Sequence, residues 1–432
     1  MNWCTYDQQR GVMVARGMEN YLWQNQILFK DYGRHVERVS QRVREHSLQP
    51  FEAAGIPIEF VRDSRVDKEQ LAREIGVRRK VERGLVCALS TLEPAPTFDY
   101  RKSRIVQRLR PCHTLYHYQI HPRIGWMHAR IQTWFPFHIQ IALNGREWLS
   151  RRMQQEGMKD TQVGNCFPWI EDFEKAQQWR EEQLHTSWTE VLSGFAAVLN
   201  PLHDEIFGKF PAADYWTCYQ SEWATDLVFG DASYLKRLMT VLTPHAILSF
   251  RSADVLRYFG KRINQGGSIP AQFNGQLQSN LREYREGERV KFWAQGNSLK
   301  FYSKAYRAEG SVLRAAETTI NHTEAFRAYR PKEGGPEDDL QWRTMRKGVA
   351  DLYQRATVSQ RINERLIDAL AAADNSSRLE ELLAPVQQRI TWKGQRVRAL
   401  RPFGDDYHLL QAINRGEFLL HGVRNRDLQN LL

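Results

Sequence analysis

The stretch from Arg104 to Gly145 constrains the fold most, because it alternates apolar and polar residues through several consecutive segments. Alternation with a period of two is typical of strands that bury one face. The sequence HPRIG joins two of these segments at hairpin spacing, and Asn144 with Gly145 marks another turn or the entry to the next helix. The region therefore predicts a sheet that contains at least one hairpin.

The sequence predicts two regions within the first 160 residues, and the second of them contains this stretch. Residues 1–55 form a basic helical N-terminal region, in which the apolar positions are spaced for one helix face. Residues 56–160 form an α/β sheet domain with a strand at 56–61, a helix capped by Asp67 and another strand at 84–93.

Beyond residue 160 the pattern becomes mainly helical, and this helical part includes the segment SEWATDLVF. Strands return at 289–321 within a mixed helical and β basic domain at 161–335. Helices resume from about Asp338 to Leu383 within a helical C-terminal region at 336–432. The predicted fold class is α+β, with an N-terminal α/β sheet domain, a central helical and strand-rich basic domain, and a C-terminal helix-turn-helix-like segment.

The chain is strongly basic. Its 432 residues include 61 Lys and Arg against 50 Asp and Glu, so the formal net charge is +11 and the pI is near 9.4. This excess favours a polyanionic partner, although a merely basic solvated surface would have the same composition. The five scattered cysteines fit reduced thiols, and no apolar run is long enough to span a bilayer. We expect a cytoplasmic protein without a membrane partner.

The first candidate site lies in the hairpin at 117–140. Side chains two apart on a strand share a face, so four polar or aromatic residues should line up for contacts with phosphates and bases. These residues are His128, Arg130, Gln132 and Trp134. A polar site around a small ligand, or a solvated face with ordinary cross-strand pairs, would use the same pattern.

The second candidate is a pair of carboxylates in SEWATDLVF. Glu222 and Asp226 are four residues apart and hence lie on one face of the predicted helix, where they could hold Mg²⁺ or Mn²⁺ in a nuclease. Carboxylates at the surface or paired with arginine are the alternative.

The third candidate, at 285–321, interleaves basic and aromatic residues on adjacent strands. Cations that reach phosphates beside rings that can stack on bases are typical of a nucleic-acid-binding sheet. A charged strand pair with a packed aromatic face is the alternative. The polar residues are Arg289, Lys291, Asn297, Lys300, Lys304 and Arg314, and the aromatic residues are Phe292, Trp293, Phe301, Tyr302 and Tyr306.

The same segment resembles the R-I-Y-[DE]-K … R-x-E region of rolling-circle replication initiators. Tyr302 and Lys304 match the tyrosine and lysine, and Arg314 with Glu317 matches the arginine and glutamate once one extra alanine is allowed. Ser303 stands where that family has a carboxylate, and the chain has no His-hydrophobic-His motif. The resemblance implies a nucleophilic role for Tyr302 and a carboxylate role for Glu317.

A second resemblance covers most of residues 55–432. The strings HPRIGWMHARIQTWFPFHIQ, LNGREWL, SEWATD and RGEFLLHGVRNRDL are similar to those of an uncharacterised bacterial protein family. This resemblance implies no stated activity. It does imply a winged-helix continuation after the C-terminal helices.

The fourth candidate is the C-terminus. An apolar stripe, a turn at Gly422 and a second helix carrying Arg424 and Arg426 have helix-turn-helix spacing, which would place the arginines in a major groove. Two packed helices that do not bind DNA are the alternative. The stripe consists of Leu409, Leu410, Ile413 and Phe418.

Together these patterns predict a nucleic-acid-binding protein, with DNA favoured over RNA, that acts in replication, mobility or maintenance of a genetic element. One alternative is a nuclease or nicking enzyme that uses Tyr302 as nucleophile, or Glu222, Asp226 and Glu317 as ligands of Mg²⁺ or Mn²⁺. The other alternative is a non-catalytic structural subunit of a nucleoprotein complex, whose aromatic and arginine residues form a protein interface.

Overall fold

The structure, a computed structural model, contains both helices and strands, which confirms the α+β class. The chain divides into two compact units: unit 1 is Met1–Glu222 with Arg327–Ala356, and unit 2 is Trp223–Phe326 with Thr357–Leu432. These boundaries differ from those of the four regions predicted from the sequence. The residues described are 2–7, 13–63, 65–209, 216–261, 278–284, 287–306, 310–332, 335–336, 338–373, 386–402, 404–413, 418 and 422–432.

Unit 1 is built on a sheet with the strand order β9-β1-β6-β5-β4-β3-β2. Its strands are β1 Asn2–Asp7, β2 Ile58–Phe60, β3 Gly84–Arg101, β4 Arg104–His121, β5 Gly125–Gln132, β6 His138–Asn144, and residues 216–222 of β9 Trp216–Phe229. Two small strand pairs accompany it, β7 Asp160–Val163 with β8 Cys166–Ile170, and β14 Arg327–Arg330 with β15 Gln341–Thr344. The helices are α1 Ala15–Gln24, α2 Tyr32–Ala53, α3 Lys68–Arg78, α4 Gly145–Gln155, α5 Phe173–Leu184, α6 Trp188–Leu199 and α7 His203–Phe207.

The elements predicted around the hairpin are confirmed. The side chain of Asp67 accepts a hydrogen bond from the backbone N–H of Gln70 at 3.1 Å and so caps α3. The HPRIG turn closes β4 onto β5 with His121 opposite Gly125. Gly125 has φ +80, and a Cβ atom there would lie 3.0 Å from the carbonyl oxygen of Glu147, so both conformation and space favour glycine.

Three secondary-structure predictions are wrong. SEWATDLVF belongs to strand β9 and not to a helix, Asn2–Asp7 is a strand within the predicted helical N-terminal region, and Gln341–Thr344 is a strand within the predicted helical stretch 338–383. Asn2–Asp7 and SEWATDLVF pair with strands that are remote in sequence, and Gln341–Thr344 pairs with the nearby strand Arg327–Arg330. Such pairing outweighs weak local preferences, and the sequence pattern does not reveal it.

Unit 2 contains a sheet with the strand order β10-β11-β12-β13-β9, to which β9 contributes residues 223–229. The other strands are β10 Gln278–Tyr284, β11 Gly287–Ala294, β12 Asn297–Tyr306 and β13 Gly310–Ile320, and a small hairpin is formed by β16 Ile390–Trp392 and β17 Gln395–Val397. The helices are α8 Ala232–Ser249, α9 Ser252–Tyr258, the 357–371 part of α10 Leu352–Ala371, and two short helices, Tyr407–Ile413 and Asn425–Gln429.

One face of the unit 2 sheet is the apolar core. Phe292 and Phe301 are buried on this face, and the ring of Phe250, just after α8, lies 6.0 Å from that of Phe292. Helix α10 packs on the same face, because Asn363 accepts a hydrogen bond from the Thr318 hydroxyl at 2.7 Å and donates one to the Trp223 carbonyl at 3.1 Å. Since strand side chains alternate, the polar residues between these positions lie on the opposite face.

The C-terminal segment contains two short helices where the helix-turn-helix was predicted. Gly422 has φ +68, as expected of a turn residue, and Arg424 caps the second helix through its backbone N–H, which donates to Asp427 at 3.1 Å. The second helix is only five residues long, which is about 7.5 Å. The role of Arg424 and Arg426 in a DNA groove stays a prediction.

Within the residues that the structure describes, no helix combines the length and the apolar character needed to cross a membrane.

Candidate functional site

The polar face of the unit 2 sheet brings most of the third predicted site together. We call it the cationic face and define it by Asp226, Arg282, Arg289, Lys291, Trp293, Lys300, Tyr302, Lys304, Arg314 and Glu317. Two cross-strand rows organise it. One row is Arg282, Arg289, Tyr302 and Arg314, and the other is Asn280, Lys291, Lys300 and Glu317. Directly opposite residues have Cβ atoms about 5 Å apart, so the members of each row are neighbours.

A β-bulge in β13 makes this arrangement possible. Lys300 pairs with Glu317, but Tyr302 pairs with Arg314, so three steps along β13 oppose two steps along β12. In a regular strand, residues three apart point to opposite faces. The extra residue in the pair Ala315–Ala316 therefore turns both Arg314 and Glu317 to the cationic face, in the way that bulges redirect side chains.

Arg314 is the centre of the buried part of the face. Its guanidinium binds Asp226 through two hydrogen bonds, Nε to Oδ1 at 2.7 Å and Nη2 to Oδ2 at 3.1 Å. Its Nη1 also donates to Glu317 Oε2 at 2.8 Å. The Arg314 side chain is 2% exposed. Burial by itself would lower the pKa of Arg314, but the charges of Asp226 and Glu317 raise it further above its usual value.

Tyr302 is held by the same cluster. Its hydroxyl donates to Glu317 Oε2 at 3.1 Å and accepts from Arg314 Nη1 at 2.7 Å. Lys300 Nζ lies 2.5 Å from the other oxygen, Oε1, of Glu317. Burial would raise the pKa of Glu317, but the charges of Arg314 and Lys300 and their hydrogen bonds lower it below the usual value. Glu317 is therefore ionised at neutral pH.

The cationic face carries more positive than negative charge. Within unit 2, its described side chains comprise six cations, namely Arg282, Arg289, Lys291, Lys300, Lys304 and Arg314, and two carboxylates, Asp226 and Glu317. Lys291 Nζ lies 4.6 Å from the centre of the Trp293 ring, and Lys304 Nζ lies 5.7 Å from that of Tyr302. Both rings are half-buried, so cations and aromatic surface are adjacent there.

Other residues of this segment lie elsewhere. Phe292 and Phe301 are in the core and are not interleaved with the cations. Asn297 is buried at the turn between β11 and β12, where its Oδ1 accepts the backbone N–H groups of Asn321 and His322 at 2.9 and 3.0 Å. The side chain of Tyr306 lies outside the described residues.

Only three of the four residues predicted to form a row in the hairpin of unit 1 share one face of the strand. His128, Arg130 and Gln132 share one face of β5, opposite Tyr118, Tyr116 and Thr114 of β4, respectively. Trp134 lies beyond the end of the strand, so its predicted place in the row is wrong. Gln132 is 1% exposed.

The charge of Arg130 in the hairpin row is neutralised within unit 1. Arg130 Nη2 lies 2.7 Å from Glu93 Oε2, and the Tyr116 hydroxyl donates to Glu93 Oε1 at 2.7 Å. Burial would raise the pKa of Glu93, but these hydrogen bonds and the charges of Arg130 and Lys68 lower it. His128 Nδ1 lies 3.6 Å from Glu69. Binding of nucleic acid by this row stays a prediction, and its arginine already contacts a carboxylate.

The predicted metal pair does not have the assumed geometry. Glu222 and Asp226 lie on strand β9, where four residues span about 13 Å, whereas a helix would place them one turn apart. Both oxygens of Asp226 accept hydrogen bonds from Arg314. In the described parts of the chain, no group of three or more His, Cys, Asp and Glu side chains is arranged to hold a metal ion.

Sequence reasoning missed two contributors to the site. Pairing with an arginine was one of the expectations for Asp226, but the partner Arg314 was not identified, and Arg282 was not singled out. The extra alanine needed to align Arg314 and Glu317 was the sequence signal of the bulge. No signal could have paired Asp226 with Arg314, because 88 residues separate them.

No protein-family model matches this chain, and no curated protein is detectably similar to it. The two resemblances given above therefore remain expectations.

Proposed function

We propose that this protein binds nucleic acid, and specifically single-stranded nucleic acid, through the cationic face of unit 2. The observation that supports this proposal best is the cationic face itself, whose described side chains in unit 2 comprise six cations and two carboxylates. Clustered cations attract phosphates because binding releases condensed counterions. A sheet face with cations and aromatic rings is also a common platform for single strands.

The preference for single strands follows from the rings. Trp293 and Tyr302 lie among the cations with part of their surfaces accessible. Bases stack on such rings only when they are not already paired in a duplex. DNA and RNA single strands share this chemistry. A role in replication, mobility or maintenance of a genetic element fits such binding.

Neutralising two cations of the face should weaken binding. The double variant Lys291→Gln/Lys304→Gln removes two positive charges next to the rings, while the buried cluster around Arg314 keeps its members. We expect the affinity for a 20-nucleotide single strand to fall about twentyfold at 0.1 M salt, and the slope of log K against log salt to become shallower by about 1.4. Fluorescence anisotropy with a labelled strand over a salt series measures both quantities.

The matched control is Lys236→Gln/Arg361→Gln, which removes the same charge from exposed positions on α8 and α10. These helices pack on the other face of the sheet. The control should retain nearly all of the wild-type affinity. Equal loss in both double variants would mean that net charge, and not the cationic face, governs binding. Absence of salt-dependent binding by the wild type would reject the proposal altogether.

A second candidate function is strand cleavage with Tyr302 as the nucleophile. The supporting observation is that the Tyr302 hydroxyl donates to the ionised Glu317 and accepts from Arg314. In such a reaction, the phenolic oxygen would attack a phosphorus atom and the hydroxyl proton would pass to Glu317, while the bond from phosphorus to the sugar oxygen would break and that oxygen would take up a proton from water. The lowered pKa of Glu317 makes it a weak base, so we rank this function below binding.

The cleavage candidate predicts a covalent protein–DNA adduct. Incubation of supercoiled plasmid and single strands with Mg²⁺ or Mn²⁺ should give nicked product and an adduct that survives denaturing electrophoresis. Tyr302→Phe should abolish the adduct and keep strand binding within about threefold, since the ring remains able to stack. Unchanged cleavage by Tyr302→Phe would contradict the nucleophilic role.

A further inference from the structure

Unit 2 carries a short hairpin near its C-terminal end, which we call the C-terminal hairpin and define as residues 390–397. Its strands β16 and β17 are joined by Lys393 and Gly394, whose φ angles are +49 and +78. Two successive positive φ angles are typical of the tight turns that join twisted strands. The base is anchored by the Arg398 guanidinium, which donates two hydrogen bonds of 2.7 Å to the carboxylate of Asp406. The hairpin is therefore a defined element with a fixed base.

One face of the C-terminal hairpin is apolar and exposed. Alternation along β16 places Ile390 and Trp392 on one face, and Val397 lies directly opposite Ile390 on the same face. These three residues are 52%, 65% and 43% exposed, respectively. Single exposed apolar residues are common, but adjacent ones that include a tryptophan indicate a contact surface.

The charged groups around this apolar face are all positive. Arg389, Lys393 and Arg396 are exposed, and among the residues that the structure describes none of the three contacts a carboxylate. We call these residues the three hairpin cations. The sequence contains no aspartate or glutamate in the whole stretch 382–404. Exposed cations without a local counter-charge attract a polyanion, because its condensed counterions are released on binding.

We infer that the C-terminal hairpin is a second contact for single-stranded nucleic acid, in which a base stacks on Trp392 and the three hairpin cations bind neighbouring phosphates. An indole ring stacks on any unpaired base, and cations beside it neutralise the adjoining backbone. A protein partner would also cover an apolar face, but the exclusively positive charge favours a polyanion. This inference rests on the proposed function, since it assigns another part of unit 2 to the same class of ligand.

Replacing Trp392 tests the stacking contact. Trp392→Ala should lower the affinity for a labelled 20-nucleotide single strand at least fivefold, whereas Trp392→Phe retains a flat ring and should stay within about threefold of the wild type. Fluorescence anisotropy at 0.1 M salt measures both affinities, and circular dichroism melts establish that each variant is folded. The matched control Trp23→Ala removes the same ring from a position on α1 that is 80% exposed, and should bind like the wild type.

Replacing two hairpin cations tests the phosphate contacts. Arg389→Gln/Arg396→Gln should weaken binding of the same strand about tenfold and make the slope of log K against log salt shallower by about 1.4. The charge-matched control is again Lys236→Gln/Arg361→Gln, which should retain nearly all of the affinity. Equal losses in these two double variants would mean that only net charge matters, and would overturn the inference.

The two proposals can fail separately. If Trp392→Ala binds strands like the wild type and Lys291→Gln/Lys304→Gln does not, the inference is wrong and the cationic face remains the binding site. The opposite result would support the hairpin and reject the cationic face. Absence of strand binding by the wild type would reject both. If Trp392→Ala keeps its strand affinity but loses binding to phosphatidylserine vesicles, the hairpin contacts a lipid surface and the inference is wrong.

Discussion

Replacing Arg314 with methionine is expected to lower the free energy of unfolding by about 3–5 kcal/mol. The guanidinium is 2% exposed and contacts the carboxylates of Asp226 and Glu317. Methionine fills a similar volume but leaves both carboxylates without this cation. Removing one partner of a buried ion pair is much more damaging than removing the whole pair, because the remaining charge is desolvated and uncompensated. Chemical denaturation measures the change.

Two further variants make this prediction specific. Arg282→Met removes an arginine from the same cross-strand row at an exposed position, and should change stability by no more than about 0.5 kcal/mol. Adding Asp226→Asn to Arg314→Met removes the carboxylate that has lost Arg314, while Glu317 keeps its contact with Lys300, and should recover at least about 1 kcal/mol. A loss below about 1 kcal/mol in Arg314→Met would show that the cluster is hydrated and contributes little.

The second large effect is a loss of stability in acid that originates at His117. This imidazole is 4% exposed, packs against the ring of Phe51 with 4.7 Å between ring centres, and lies 3.3 Å from the Ser47 hydroxyl. Burial lowers its pKa from 6.5 to about 3. Below pH 6.5 the unfolded chain therefore binds a proton that the folded chain does not, so stability falls as the pH decreases from about 6.5 towards 3.

From pH 7 to pH 4.5 this single histidine should remove about 2.5 kcal/mol of stability. His117→Gln retains a polar group that can bond Ser47, and it cannot be protonated. Between pH 7 and pH 4.5, the free energy of unfolding of this variant should therefore fall by about 2.5 kcal/mol less than that of the wild type. His408→Gln, at an exposed position, serves as the control for the replacement of one histidine by glutamine. Parallel curves for His117→Gln and the wild type would contradict the prediction.

The parts of the fold that depend on local patterns were predictable. Alternation and turn residues identified the hairpin of β4 and β5, and Asp67 identified the start of α3. The strand β9 was not predictable in the same way. Its residues also fit a helical spacing, and only its pairing with β1 and β13, which lie far away in sequence, selects the extended conformation.

The sequence identified the residues of the candidate site better than it identified the contacts between them. Tyr302, Arg314 and Glu317 were selected from a short resemblance, and the fold places them within hydrogen-bonding distance of one another. The partners of Arg130 and Arg314 could not be inferred, because Glu93 and Asp226 are distant along the chain. Sequence patterns give the face of a strand, whereas the neutralisation of a charge depends on tertiary contacts.

The bulge at Ala315 and Ala316 means that the charge cluster can tolerate the loss of one residue between Arg314 and Glu317. Deleting one of these alanines would keep every charged and hydroxyl group of the cluster in the chain. With Arg314 still opposite Tyr302, the shortened strand would be regular, and the carboxylate now at position 317 would come two residues after Arg314, opposite Lys300 and on the same face. A one-residue gap at this position between homologous sequences would therefore leave the cluster intact, and it should not be scored as a loss of the site.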